Sequence, residues 1–269
     1  MLHVEALPDG RQAVLLDLTP VHPVDFAWPD QGADRAWLQV GADQVPVLDC
    51  VVGAVKDGRL HLGGAIPVKK GTEGWAFVVA HIVGPEAAVE EGAVVGVQVD
   101  ASHRAALSAG HTGCHLASLA LNRELAGAWR KDVALDAAGH PNFDALAIDT
   151  STILPDGSRD VYRLGKSLRR RGFQPEELLG RLPDVTDRVN AVLAQWTASH
   201  AAVAVEREGR GLTDLRRWTC ALPEGTVSIP CGGTHVSSLA ELVEVRVHLQ
   251  AEEAAGAVVV TMDTRSLRR

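Results

Sequence analysis

Aromatic side chains are scarce here. One tyrosine, four phenylalanines and six tryptophans are spread over 269 residues, so aliphatic side chains must fill whatever core forms. No apolar run approaches the roughly 20 residues a helix needs to cross a bilayer, and no membrane partner is expected. The opening segment, MLHVEALPDGRQ, has no basic stretch followed by an apolar one, so no secretory signal is expected. Cysteine is limited to Cys50, Cys114, Cys220 and Cys231, with no spacing that suggests a disulfide framework. Reduced thiols in a cytoplasmic protein are the expectation. Positive charge is also short: 26 Lys and Arg against 34 Asp and Glu give a net charge of −8. That argues against non-specific nucleic-acid affinity, although a local basic patch can bind within an acidic whole. There is no Gly-x-Ser-x-Gly elbow, no Walker loop and no Gly-x-Gly-x-x-Gly opening a helix. Triad hydrolysis and nucleotide cofactors are therefore not indicated.

With 46% hydrophobic residues the chain is of ordinary globular composition, long enough for one large domain or two small ones. Its most informative stretch is His111-Thr112-Gly113-Cys114-His115-Leu116. Histidines four apart on a helix share one face, a turn apart, and can offer two nitrogens to one ion. Far downstream lies Cys231-Gly232-Gly233-Thr234-His235, where glycines let a turn present a thiol and an imidazole to one point. Either pair alone is weak. Together, His111, His115, Cys231 and His235 supply three nitrogens and one sulfur, a set that suits Zn²⁺.

HTGCHL followed by CGGTHV resembles the editing domain shared by alanyl- and threonyl-tRNA synthetases, and its free-standing relatives, the AlaX-type alanyl-tRNA editing proteins. Val99-Asp100 with Arg104, Thr19-Pro20, and Asp187 to Val192 are similar to flanking parts of that family. The resemblance implies a zinc at a deacylase site that hydrolyses the ester joining a wrong amino acid to tRNA. It implies a zinc-bound water held by His111, His115 and His235 as the reacting group, with mischarged tRNA as partner. The chain is too short for an aminoacylation core, so action in trans on tRNA charged elsewhere is expected. One segment departs from the family. Where its members carry Gly-Gly-Gly-Gln-Pro, this sequence has Asp25-Phe26-Ala27-Trp28-Pro29-Asp30-Gln31-Gly32, with Gln31 standing for the glutamine. Gln31, Asp149 and Thr234 are the expected substrate contacts. Asp30 and Gln31 read equally as a solvated turn; Asp149 reads also as a support for a metal histidine through its second nitrogen, or as a plain strand-end carboxylate.

Along the chain, 11–18, 36–40, 45–55, 59–62, 75–83 and 93–100 read as strands, with Asp57-Gly58 as a hairpin turn. The expected class is α+β. Residues 1–100 should form a small β-barrel-like domain, and 101–269 an α+β editing domain with a mostly antiparallel sheet and the zinc site. Leu107, Leu116, Leu119, Leu121 and Leu125 mark a helix around the two histidines. Cys114 is either a spare ligand or a small buried residue. Segment 134–160 reads as loops around a strand, LAIDT, and 175–198 as a helix interrupted at Pro183. Residues 201–208, 227–231, 241–249 and 257–262 read as strands. In 241–249, Val243, Val245, Val247 and Leu249 share one side, opposite Leu242, Glu244 and Arg246. Lys166, Arg169, Arg170 and Arg171 form the densest basic cluster, either a tRNA phosphate contact or a solvated face.

Two functions of different class follow. One is a trans-acting zinc-dependent deacylase of mischarged tRNA(Ala), with serine the expected error. The other is a non-catalytic zinc-stabilised binding module, or a metal-dependent hydrolase of another small ester or amide.

Overall fold

Short stretches of alternating apolar residues, punctuated by Asp and Gly, favour antiparallel hairpins. The computed structural model describes residues 1–254 and 257–269, and ten of its strand pairs run antiparallel, from the β1–β2 hairpin to the β14–β15 pair. The chain is mixed α+β and divides into two compact units. One comprises Met1–Arg104 with Arg207–Leu215, the other Ala105–Glu206 with Arg216–Arg269.

The first unit holds eight strands: β1 His3–Ala6, β2 Gln12–Leu15, β3 Ala36–Val40, β4 Asp43–Val47, β5 Asp49–Lys56, β6 Arg59–Leu62, β7 Ala76–Val83 and β8 Val95–Val99. They make a five-stranded sheet in the order β1-β2-β7-β5-β6 and a three-stranded sheet β4-β3-β8. The run read as one strand over 45–55 is two. The chain changes sheet at the exposed Leu48, whose amide donates to the Ile82 carbonyl at 2.7 Å. Small aliphatics such as Ala13, Val14, Leu15, Leu38, Ala80 and Ile82 fill the interior, as the shortage of aromatics requires. Phe26, Trp75 and Phe77 gather at one end with Val52, Ile66 and Leu212. Leu212 comes from Arg207–Leu215, which joins this unit from far along the chain.

The second unit is organised on α1, Ala101–Glu124. After it come α2 Phe143–Ala147, β9 Ile148–Leu154, β10 Gly157–Leu164, α3 Lys166–Arg170, α4 Pro175–Leu179 and α5 Leu182–Ala198. Strands β11 Val203–Arg207, β12 Arg216–Leu222, β13 Gly225–Pro230, β14 Leu242–Ala254 and β15 Ala257–Arg268 complete the order. Its sheets are β14-β15-β10-β9 and β11-β12-β13. Leu107, Leu116, Leu119, Leu121 and Leu125 are all buried, so the aliphatic positions hold α1 down as its pattern indicated.

Four readings need correction. LAIDT begins as helix, because the Asn142 side chain caps α2 by accepting from the Ala145 amide, and the strand starts only at Ile148. The stretch after it is not loop but the β9–β10 hairpin, turning at Asp156, whose φ is 58°. The interruption read at Pro183 falls just before it: α4 ends at Leu179 and α5 begins at Leu182, with Pro183 in its first turn, where a missing N–H costs nothing. In β14 a register shift between Leu242 and Glu244 changes the phase. Leu242 turns inward and Val243 out, while Val245, Val247 and Leu249 keep the buried side.

Helix α1 approaches the sheet too closely for side chains at two positions. A Cβ on Gly110 would run into the backbone oxygens of Leu154 and Gly157, and one on Gly113 into the Ser266 hydroxyl. Backbone cannot yield as a flexible side chain can. Gly110→Ala should therefore destabilise the protein by about 1–3 kcal/mol and lower its unfolding temperature by several degrees. Gly127→Ala, which meets nothing, should change stability by less than about 0.5 kcal/mol. Thermal unfolding of both variants checks this, and equal effects would refute the close-approach account.

Candidate metal centre

The close seating of α1 fixes where His111 and His115 project. Their rings lie 4.8 Å apart between centroids. The second motif arrives from β13, whose extension is held by the Cys231 amide donating to the Arg216 carbonyl at 3.0 Å. Gly232, Gly233 and Thr234 then turn the chain so that His235 returns beside the helix, 4.4 Å from His111 and 5.1 Å from His115. Cys231 Sγ lies 3.4 Å from His111 Nε2 and 3.3 Å from His235 Nε2. Ligands about 2.0–2.3 Å from a tetrahedral zinc are about 3.3–3.6 Å from one another, so these separations suit that ion. The four ligand atoms all lie within 4.8 Å of one another.

The donor chemistry passes a second test. Nε2 of His115 is buried and has no hydrogen-bond partner. Burial pulls its pKa down to about 4, so the ring is neutral at physiological pH. An orphaned buried nitrogen needs a partner, and neutral imidazole is the form that binds metal. His111, His115, Cys231 and His235 therefore form a group able to hold a metal ion, compatible with zinc. Trp218, to which the sequence reading gave no role, is fully buried against it, 5.0 Å from His115 and 5.9 Å from His235.

Cys114 is outside this group. Its thiol lies 3.6 Å from both oxygens of Asp160, on the side where Ser151 and Ser158 also donate to that carboxylate, at 2.6 and 3.0 Å. Nearby, the buried Tyr162 hydroxyl donates to Asp144 at 2.8 Å. Desolvation raises the pKa of Asp144 to about 6 and also raises that of Asp160.

Gln31 is buried in the first unit, next to Asp30, whose carboxyl accepts from the Gln31 amide at 2.8 Å and is pushed up to about 6 by burial. The loop they belong to is anchored by Asp34. Its buried carboxylate accepts from Arg104 Nε at 3.0 Å and from Arg104 Nη2. Asp149 is exposed near the start of β9, 3.7 Å from Arg163. Thr234 occupies the turn between the two ligands of the second motif. Lys166, Arg169 and Arg170 lie on α3, followed by Arg171, and all four are exposed. Arg169 also pairs with Glu176 at 2.7 Å. The sequence reading missed two further cations. The Arg130 amide donates to the Gly172 carbonyl at 2.9 Å and Lys131 Nζ to the Arg170 carbonyl at 3.0 Å, which adds both to the cluster. Only the fold brings them there, some 40 residues along the chain.

The chain is 26% identical over 260 residues to an alanine–tRNA ligase from Frankia casuarinae, in an alignment covering 92% of this chain and 24% of that protein. It thus spans about a quarter of the length of this curated relative. No family model matches the chain.

If the four residues are ligands, the purified protein should carry one zinc per chain by elemental analysis. His115→Ala should weaken zinc binding by more than about 100-fold, beyond the cost of losing a supporting contact. In the cobalt-substituted protein, Cys231→Ser should remove the thiolate-to-metal absorption band. Zinc content and affinity unchanged in His115→Ala would refute the assignment. The raised pKa of Asp144 gives a separate expectation. Its folded-state value lies above the ordinary carboxylate value, so its stabilising contribution is present below about pH 4 and is lost as pH rises through about 6. Asp144→Asn, which mimics the protonated acid, should raise the unfolding temperature more at pH 8 than at pH 5. An equal shift at both would count against it.

Proposed function

We propose that this protein is a zinc-dependent aminoacyl-tRNA deacylase that hydrolyses mischarged tRNA(Ala), with seryl-tRNA(Ala) the foremost substrate. The convergence of His111, His115, Cys231 and His235 carries the reading. Similarity to an alanine–tRNA ligase along most of the chain supports the substrate class.

Zinc, when bound, would polarise the ester carbonyl and lower the pKa of an attacking water. His111, His115 and His235 would hold the ion. A catalytic ion needs an open position, and the residue placed to yield one is Cys231. The Gly233 amide donates to its sulfur at 3.4 Å, which orients the thiolate and spreads its negative charge. Trp218 closes one wall against water. Gln31, Asp149 and Thr234 are assigned to the aminoacyl end on the family resemblance. Lys166, Arg169, Arg170 and Arg171, extended by Arg130 and Lys131, are assigned to tRNA phosphates.

The second reading is a zinc-stabilised binding module, or a hydrolase of another small ester or amide. The four-ligand set, which closes a zinc when all four bind, favours the module, and the replaced glycine loop favours a different substrate.

Paired tRNA-binding and single-turnover deacylation assays with seryl-tRNA(Ala) separate these readings. His111→Ala should bind tRNA normally and lose roughly 100-fold or more in hydrolysis, whereas normal hydrolysis would make the zinc structural. Reversing the charges of Arg169, Arg170 and Arg171 should weaken binding with little sequence selectivity. It should also flatten the log–log salt dependence by about 2 to 3, with less effect on turnover of bound substrate. Full-strength binding by that variant would reduce the basic run to a solvated face.

A further inference from the structure

Between the two helical metal histidines stands Thr112, which is fully buried. Its hydroxyl oxygen lies 3.2 Å from His235 Nδ1 and accepts the Val236 amide at 3.2 Å. One oxygen of α1 therefore reaches two consecutive residues of the second motif, 123 and 124 positions away in sequence.

The two nitrogens of an imidazole are coupled. On His235, Nε2 is the atom facing Cys231 Sγ, and Nδ1 faces Thr112. Metal takes the lone pair of Nε2, so the ring proton must then sit on Nδ1. A hydroxyl oxygen has two acceptor lone pairs. In Thr112 one takes the Val236 N–H and the other is directed to receive Nδ1–H. The opposite tautomer would put the proton on Nε2 and block the metal.

We propose that Thr112 is a positioning residue that selects the metal-binding tautomer of His235 and clasps the second motif to α1. This rests on the metal assignment above. It predicts that the hydroxyl, and not the bulk of the side chain, sets zinc affinity.

The test compares Thr112→Val, which keeps the shape and removes the hydroxyl, with Thr112→Ser, which keeps the hydroxyl. Zinc affinity is measured by chelator competition on the full chain, beside His111→Ala and with the unfolding temperature of each zinc-free protein. Thr112→Val should bind zinc roughly 10- to 100-fold more weakly, and Thr112→Ser should stay within about threefold of the wild type. In the cobalt-substituted proteins, Thr112→Val should also shift the visible bands, because the His235 ring is no longer held.

If Thr112→Val is too unstable to purify, Thr112→Ser and Thr112→Cys are compared in its place. Serine should then preserve affinity and the weakly accepting thiol lower it. Wild-type affinity and cobalt spectrum in Thr112→Val, or equal losses in the valine and serine variants, would overturn the tautomer role. If the wild type itself takes up no zinc, or His111→Ala binds as well as the wild type, the metal assignment has failed and this inference falls with it.

Discussion

The second unit depends on how closely one helix lies on its sheet. At Gly110 and Gly113 the backbone of α1 comes within reach of the β9–β10 hairpin and of Ser266 on β15, leaving no room for a Cβ. Side chains interdigitating between helix and sheet would leave the helix some freedom to slide. Direct backbone contact does not, because every alternative register brings a side chain into the same space. His111 and Thr112 follow the first of these glycines, and Cys114 and His115 the second. A backbone held this firmly fixes the direction of all four side chains, and placement within fractions of an ångström is what a metal or catalytic site requires.

Charge is distributed as unevenly as the packing. The net charge of −8 would repel a polyanion, yet the Arg130–Lys131 segment is bonded to the Arg170–Gly172 end of the stretch that carries Lys166, Arg169, Arg170 and Arg171. Salt screens exposed charges within about 10 Å, so the field beside this cluster is set by its neighbours and not by the distant surplus of acids. Asp144 and Asp160 do not offset it in the same way, since burial raises their pKa values and disfavours their charged forms. Net charge is thus a poor guide to what this surface binds.

What the sequence reveals depends on how local the determining contact is. His111 with His115, and Cys231 with His235, are each spaced four apart, so helix and turn geometry make both pairs legible. Strands such as Ala36–Val40 and Arg59–Leu62 follow their hydrophobic pattern residue for residue. The misread places turn on a competing local rule or a distant partner. Pro183 marks the break between α4 and α5 but opens the second helix instead of ending the first. Val243 reads as inward until the bulge beside it flips the phase. The joining of Arg207–Leu215 to the first unit, of Lys131 to Arg170, and of Thr112 to His235 leaves no trace in spacing, because each joins segments far apart in the chain.

The same distinction bears on how each of the four residues is held. His111 and His115 are carried by a helix whose backbone cannot shift without a clash, so displacing either would strain the whole layer. His235 is on the incoming loop, but its ring is tied to α1 through Thr112. Cys231 is held differently. It sits at the end of β13, partly exposed, ahead of two glycines, and its sulfur already accepts a backbone N–H. The four-residue set thus combines three imidazoles and one thiol at a strand end, a group able to hold a metal ion and compatible with zinc.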